Sequence, residues 1–212
     1  MIRSIKVGPL AATASTLAAC SLAAAVPTIG GTPILTSEAM FDGGAADWSL
    51  TVSSYVYDSN SDLPPGFALL PGQLLFVYLV ETGEDDSISV TNFNVGNPGN
   101  FPVLSVGFSN AITPDGLDPA DRENPFLYGY SGPSQETLFT FFGDFSDPLS
   151  TLDPGEWSLV WNVIEAPGVD LGPATGLGGG QGDTQLVPVA IPAPAGLALL
   201  GLAGLAGRRR RD

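Results

Sequence analysis

Along residues 48–190, short apolar runs alternate with turn clusters, and none of them keeps the 3.6-residue period of an amphipathic helix. That spacing constrains the fold more than any other feature of the chain. In 48–57, Trp48, Leu50, Val52 and Val56 alternate with Ser49, Thr51, Ser53 and Tyr55, the pattern of a half-buried strand. Asp-Ser-Asn-Ser-Asp at 58–62, Pro64-Pro65-Gly66 and Pro71-Gly72 are turn chemistry. The continuous apolar run 74–80 that follows has strand length and reads as central in a sheet.

The same reading continues along the chain. An acidic turn at 81–86 leads into a β-rich segment, 87–95, and a loop at 97–100 precedes a strand at 103–108. The longest polar connection is 109–124, and aromatic strands follow at 126–130 and 137–145. Asp153-Pro154-Gly155 marks a turn before a strand at 156–164 that places Trp157, Leu159, Trp161 and Val163 on one face. Residues 26–47 read as an entry loop with at most one short strand, 166–182 as a loose glycine-rich loop, and 183–190 as a closing strand. About eight short strands joined by turns predict an all-β fold, a single antiparallel β-sandwich or jelly-roll-like domain over residues 26–190.

The two ends have a different composition. Residues 1–25 have the layout of a signal peptide: Arg3 and Lys6 at the start, an uncharged stretch, and Ala23 and Ala25 as an A-x-A cleavage site ahead of Val26-Pro27. The same segment holds Leu17-Ala18-Ala19-Cys20, which is similar to a lipobox, so lipidation of Cys20 is the alternative to plain cleavage. Residues 191–212 read IPAPAGLALLGLAGLAGRRRRD. Pro192 and Pro194 break any preceding element, an uncharged run follows, and Arg208, Arg209, Arg210 and Arg211 form a block that stays on the cytoplasmic side. The thirteen uncharged residues 195–207 would span only about 20 Å as a helix, less than the ~30 Å hydrocarbon core, which suits a transient anchor.

That tail resembles the bacterial PEP-CTERM sorting signals, in the variant written Val-Pro-Leu-Pro-Ala; Ile191-Pro192-Ala193-Pro194-Ala195 stands where the motif would be. The resemblance implies a C-terminal membrane helix removed by an exosortase, a membrane cysteine protease, with release to the cell surface or extracellular matrix. Ala193 in place of leucine is a departure that bears on the enzyme subtype. Leu75-Phe76-Val77-Tyr78 and Leu152-Asp153-Pro154-Gly155-Glu156 are similar to a recurrent layout among PEP-CTERM proteins, from which no activity carries over. The implied partners are the export machinery, the exosortase, the inner membrane and an exopolysaccharide.

Charge and residue usage restrict the chemistry. Of 22 acidic residues only Asp212 lies outside 26–190, and of seven basic residues only Arg122 lies inside it. The expected domain therefore carries 21 acids and one base, a net charge of −20. Nucleic acid and anionic lipid need lysine and arginine on the protein, so neither is an expected partner. With no histidine, and its one cysteine at position 20, the chain offers no Ser-His-Asp or Cys-His catalysis and no histidine or thiolate zinc site. Gly178-Gly179-Gly180 has no helix after it and is not a phosphate loop.

Carboxylate chemistry remains. Asp115, Asp118, Asp121 and Glu123 lie in one loop and offer hard oxygen ligands of the kind Ca2+ takes, although without EF-hand spacing. Glu81, Glu84, Asp85 and Asp86 form a second cluster. Tyr55, Tyr57, Tyr128 and Tyr130 would stack on sugars if exposed, and would be core if buried. The expected function is that of an exported, non-catalytic surface or matrix protein. A Ca2+-dependent carbohydrate-binding module is the alternative, and a carboxylate-based glycosidase the third reading.

Overall fold

The computed structural model describes residues 27–141 and 151–192. The expected leader with Cys20, the tail from residue 193 with Pro194 and the arginine block, and the end of the expected strand 137–145 lie outside the described residues. Among the described residues no helix is long and apolar enough to cross a membrane.

The chain is all-β with two antiparallel sheets. The strands are β1 (Leu35–Asp42), β2 (Ser49–Asp58), β3 (Gln73–Thr82), β4 (Val90–Gly96), β5 (Val103–Phe108), β6 (Leu127–Ser131), β7 (Glu136–Thr140), β8 (Trp157–Glu165), β9 (Gly168–Gly178) and β10 (Gln181–Ile191). One sheet runs β1-β2-β3-β8-β5 and the other β10-β9-β4-β7-β6. Two short 3-10 turns, Gly44–Ala46 and Pro119–Asp121, are the helical elements among the described residues.

Period-2 patterning explains the layers. Leu50, Val52 and Val56 of β2 and Leu74, Phe76, Tyr78 and Val80 of β3 face Phe93, Val95, Phe139, Val187 and Val189 of the other sheet in one buried cluster. Phe93 is its hub: Phe41 and Tyr78 meet it edge-on, with centroids 6.1 and 5.7 Å away, and Phe139 stacks on it at 6.3 Å. The Tyr78 hydroxyl donates to the Pro188 carbonyl at 2.9 Å, and burial pushes its pKa far up. At one side, the Asp42 amide donates to the Asp183 carboxylate at 3.0 Å. The Gln185 side chain and that amide hold Asp183 below the usual carboxylate range.

β3 is apolar on its other face too. Leu75, Val77 and Leu79 point outward with Tyr55, Tyr57, Trp157 and Leu159 into a second cluster, covered by Ile29, Leu63, Phe67, Ile112 and Leu117 from the connections. The connections 27–34, 59–72 and 109–126 therefore act as a third layer over one sheet.

Three expectations change. The described residues hold ten strands rather than about eight. The entry segment contains a full eight-residue strand, β1, and the glycine-rich 166–182 is not a loop but β9 and its hairpin. Gly179 and Gly180, at φ 55° and 76°, form the two-residue turn that suits the twist of a tight hairpin. β9 carries glycine because the Trp48 ring lies against it: a Cβ on Gly178 would stand 2.9 Å from that ring. The glycines that suggest a loop are there to admit an indole. We expect Gly178→Ala to lower unfolding free energy by about 1–3 kcal/mol through overpacking against Trp48. Urea denaturation of the variant beside the parent chain measures it.

Candidate functional site

The functional candidate with the most chemistry is the end of the molecule where the 109–126 connection meets the start of β8. Arg122 organises it. Its guanidinium donates to the carbonyls of Asn110 at 2.8 Å and Ile112 at 2.9 Å and to the Thr113 hydroxyl at 2.8 Å. The same group lies 4.5 Å from the centroid of the Trp157 ring, a cation–π contact. Trp157 returns the contact, its indole N–H donating to the Asp118 carbonyl at 2.8 Å, and the Glu123 amide donates to the Trp157 carbonyl at 2.9 Å. The one basic residue of the described chain is thus used to shape a loop.

The Asp153-Pro154-Gly155-Glu156 turn lies beside it. Gly155 has φ 82° at the third position after a proline, and the Glu156 amide donates to the Asp153 carbonyl at 3.0 Å, which makes a type II turn. The Asp153 carboxylate accepts from the hydroxyls of Ser89 at 2.5 Å and Thr151 at 2.6 Å, while the Glu156 carboxylate accepts from the Asp153 amide at 2.7 Å. Burial raises the Glu156 carboxyl above its usual range, and the charges of Asp153, Glu123 and Asp121 add to that. Burial raises Glu123 as well, with a further push from Asp153.

The structure separates the four residues expected to bind Ca2+. Asp121 and Glu123 join Asp153 and Glu156 in one repulsive field. Asp118 instead caps the 3-10 turn, accepting from the Ala120 amide at 2.9 Å. Asp115 accepts from the Thr28 hydroxyl and ties down the start of the described chain. Among the described residues no group of three or more acids is gathered closely enough to hold a metal ion. The second expected cluster also divides. Asp86 is taken up by the Ser49 amide at 2.7 Å and the Gly83 amide at 3.0 Å, Glu84 lies against Gly155, and Glu81 is on the outer face of β3.

The tyrosines divide two and two. Tyr55 and Tyr57 are only 4 % and 0 % exposed, so of the two readings they take the core one. They belong to the outer cluster, and burial holds the Tyr57 hydroxyl near a pKa of about 12. Tyr128 keeps 42 % exposure and meets Phe108 edge-on at 5.5 Å, and the Tyr130 hydroxyl donates to the Asn100 side chain at 3.0 Å. Phe126, just before β6, is 64 % exposed. Asp153 and Glu156 were missed as members of the acidic site because they read as a turn residue and the start of a strand, about thirty positions from the loop they meet.

No family model, curated protein or solved structure matches the chain.

Two outcomes follow from this geometry. Arg122→Ala leaves the Ile112 and Asn110 carbonyls without their donor and removes the cation over Trp157, so it should cost about 2 kcal/mol. Arg122→Lys should recover only part of that, because an ammonium cannot reach three acceptors in one plane. Chemical denaturation and the rate of proteolysis within 109–126 measure both. Glu156 holds its proton more tightly folded than unfolded, so its protonated form favours folding at low pH. That contribution is lost as the pH rises from about 4.3 through the raised folded value. Glu156→Gln should therefore be more stable than the parent at pH 7 and lose that advantage below pH ~4, which urea midpoints at the two pH values will read.

Proposed function

We propose that the chain is an exported β-sandwich, delivered to the cell surface or extracellular matrix by an exosortase-type protease that removes its tail, and that it has no catalytic role. The observation that supports this reading is where the last described strand ends. Val187, Val189 and Ala190 are buried in the core, Ile191 packs against it as the last residue of β10, and Pro192 follows directly. Cleavage at or after Pro194 would remove none of the core residues among the described ones. A domain charge of −20 agrees with an exterior location rich in counter-ions, and argues against nucleic acid as a partner.

The carbohydrate-binding reading is second and is supported by one place, the β5–β6 side, where Phe126 and Tyr128 are exposed beside Phe108. Aromatic side chains in such a position stack on sugar rings, and a neutral polysaccharide would meet no repulsion from the acidic domain.

Intact mass of the native protein from cell surface and medium tests the first reading. A species starting at Val26 and ending near Pro194 is expected, with any adduct at its end reporting attachment. Retention of the arginine block, or a diacylated Cys20, would sink the exosortase route and leave a membrane-anchored protein or a lipoprotein. Retardation on polysaccharide gels that is abolished by Tyr128→Ala, and weakened by chelator, would favour the second reading instead.

A further inference from the structure

The two sheets differ in what lies on their outer faces. The β1-β2-β3-β8-β5 sheet is covered there by the connections and carries the carboxylates of Glu38 and Glu81. The outer face of the β10-β9-β4-β7-β6 sheet instead shows leucine to solvent: Leu127 is 62 % exposed, Leu171 51 % and Leu186 58 %. Strand register lines up its outward positions in rows that cross all five strands. In the central row Thr184 stands opposite Thr175, Thr175 opposite Asn94, Asn94 opposite Leu138, and Leu138 opposite Gly129.

Charge is nearly missing from this face. Of the outward positions on the five strands only Glu136, the first residue of β7, is ionisable, in an expected domain of 21 acids and one base. The polar groups are partly spent on one another. The Thr175 and Thr184 hydroxyls lie 3.1 Å apart, and the Asn92 side-chain amide donates to the Thr140 hydroxyl at 2.9 Å. Such a surface costs little to take out of water, because a paired hydroxyl or amide loses less than a free one and a carboxylate loses most.

We infer that this face is where two copies of the chain meet, sheet against sheet, in an isologous dimer. Electrostatics selects the face. Two domains of net charge −20 repel each other, and sheets pack about 10 Å apart. The carboxylates of the far sheet therefore stand behind this face by more than the ~8 Å over which charge acts at physiological ionic strength. Area sets the strength. Five strands about 4.8 Å apart and three outward rows about 7 Å apart give roughly 500 Å² in projection, or about 1,000 Å² for two copies. Specific pairs begin near that size, so the dimer is weak and reversible. No outward position of the sheet is aromatic, so the face offers leucine to another leucine surface and no ring for a sugar to stack on.

Sedimentation equilibrium of the native protein over a range of concentrations is the test. The expected result is a monomer–dimer equilibrium that stops at two copies and tightens as NaCl is raised, because salt screens the repulsion between the acidic domains. Leu127→Glu combined with Leu186→Glu puts carboxylates at opposite margins of the face, on side chains the monomer leaves exposed. The double variant should weaken dimerisation about tenfold or more, with the urea midpoint of the parent retained. Leu70→Glu adds the same charge at a 68 % exposed position in the connection over the other sheet, and should leave dimerisation unchanged. In the parent chain, dilution should move the NMR signals of Thr175, Asn94 and Leu138 and leave those of β2 in place, a readout that needs no variant. A monomer at every concentration, an association that NaCl weakens, or a dimer untouched by the double variant would overturn the inference. So would a monomer retained on a neutral polysaccharide gel and released by the double variant, since the face would then belong to a glycan.

Discussion

The structure depends on a strand that is apolar on both faces. β3 puts Leu74, Phe76, Tyr78 and Val80 into the space between the sheets and Leu75, Val77 and Leu79 on the opposite side. Two stacked sheets can cover only one of those faces. Burial of a Leu or Val side chain is worth about 1.5–3 kcal/mol, so leaving three of them in water would forfeit a large part of a typical domain's net stability. The connections take up the outer face instead, with Phe67 edge-on to Trp161 at 5.2 Å and Ile29, Ile112 and Leu117 beside it. The long polar loops therefore have a packing role, and their polar residues are the fastenings: Arg122 on two carbonyls, Tyr55 and Tyr57 on two more.

That double duty accounts for what was legible in the sequence. β2 and β8 could be read nearly to the residue because their apolar positions repeat every second place, β3 because its continuous apolar run has strand length and is bounded by turns, and the Asp-Pro-Gly turn before β8 was equally plain. β9 was not legible. Its identity is set by what lies against it, the Trp48 ring, and glycine on a strand is indistinguishable from glycine in a loop until the neighbour is known. β1 was obscured in the same way by Ser37 and Glu38, polar residues that a strand at the margin of a sheet tolerates. Alternation assigned Tyr55 to the outer face, and whether it and Tyr57 were surface or core stayed open because no local pattern says that an outer face will be covered.

The acidic residues show the limit of counting charges along a sequence. Asp115, Asp118, Asp121 and Glu123 are neighbours in the chain, yet the first fastens Thr28, the second caps a turn, and only the last two share a field with Asp153 and Glu156. A chain with 21 acids in its expected domain will always contain runs that resemble ligand sets. What distinguishes a working carboxylate from a solvating one is partial burial, which only the fold creates. By that criterion Glu81, Glu123 and Glu156 stand apart from the majority, since burial is the leading cause of the shift in each.

The same criterion separates two scales of electrostatics. At physiological ionic strength, charges are screened within about 8 Å, so most of the net −20 acts as a solubilising coat and costs the fold little. Screening weakens where protein replaces water, at Glu81 on the outer face of β3 and at the end with Glu123 and Glu156. Arg122, the domain's one base, is committed to carbonyls and the Trp157 ring rather than to either place. With Arg122 committed to loop shape, the partly buried carboxylates among the described residues take their counter-charge from solvent ions.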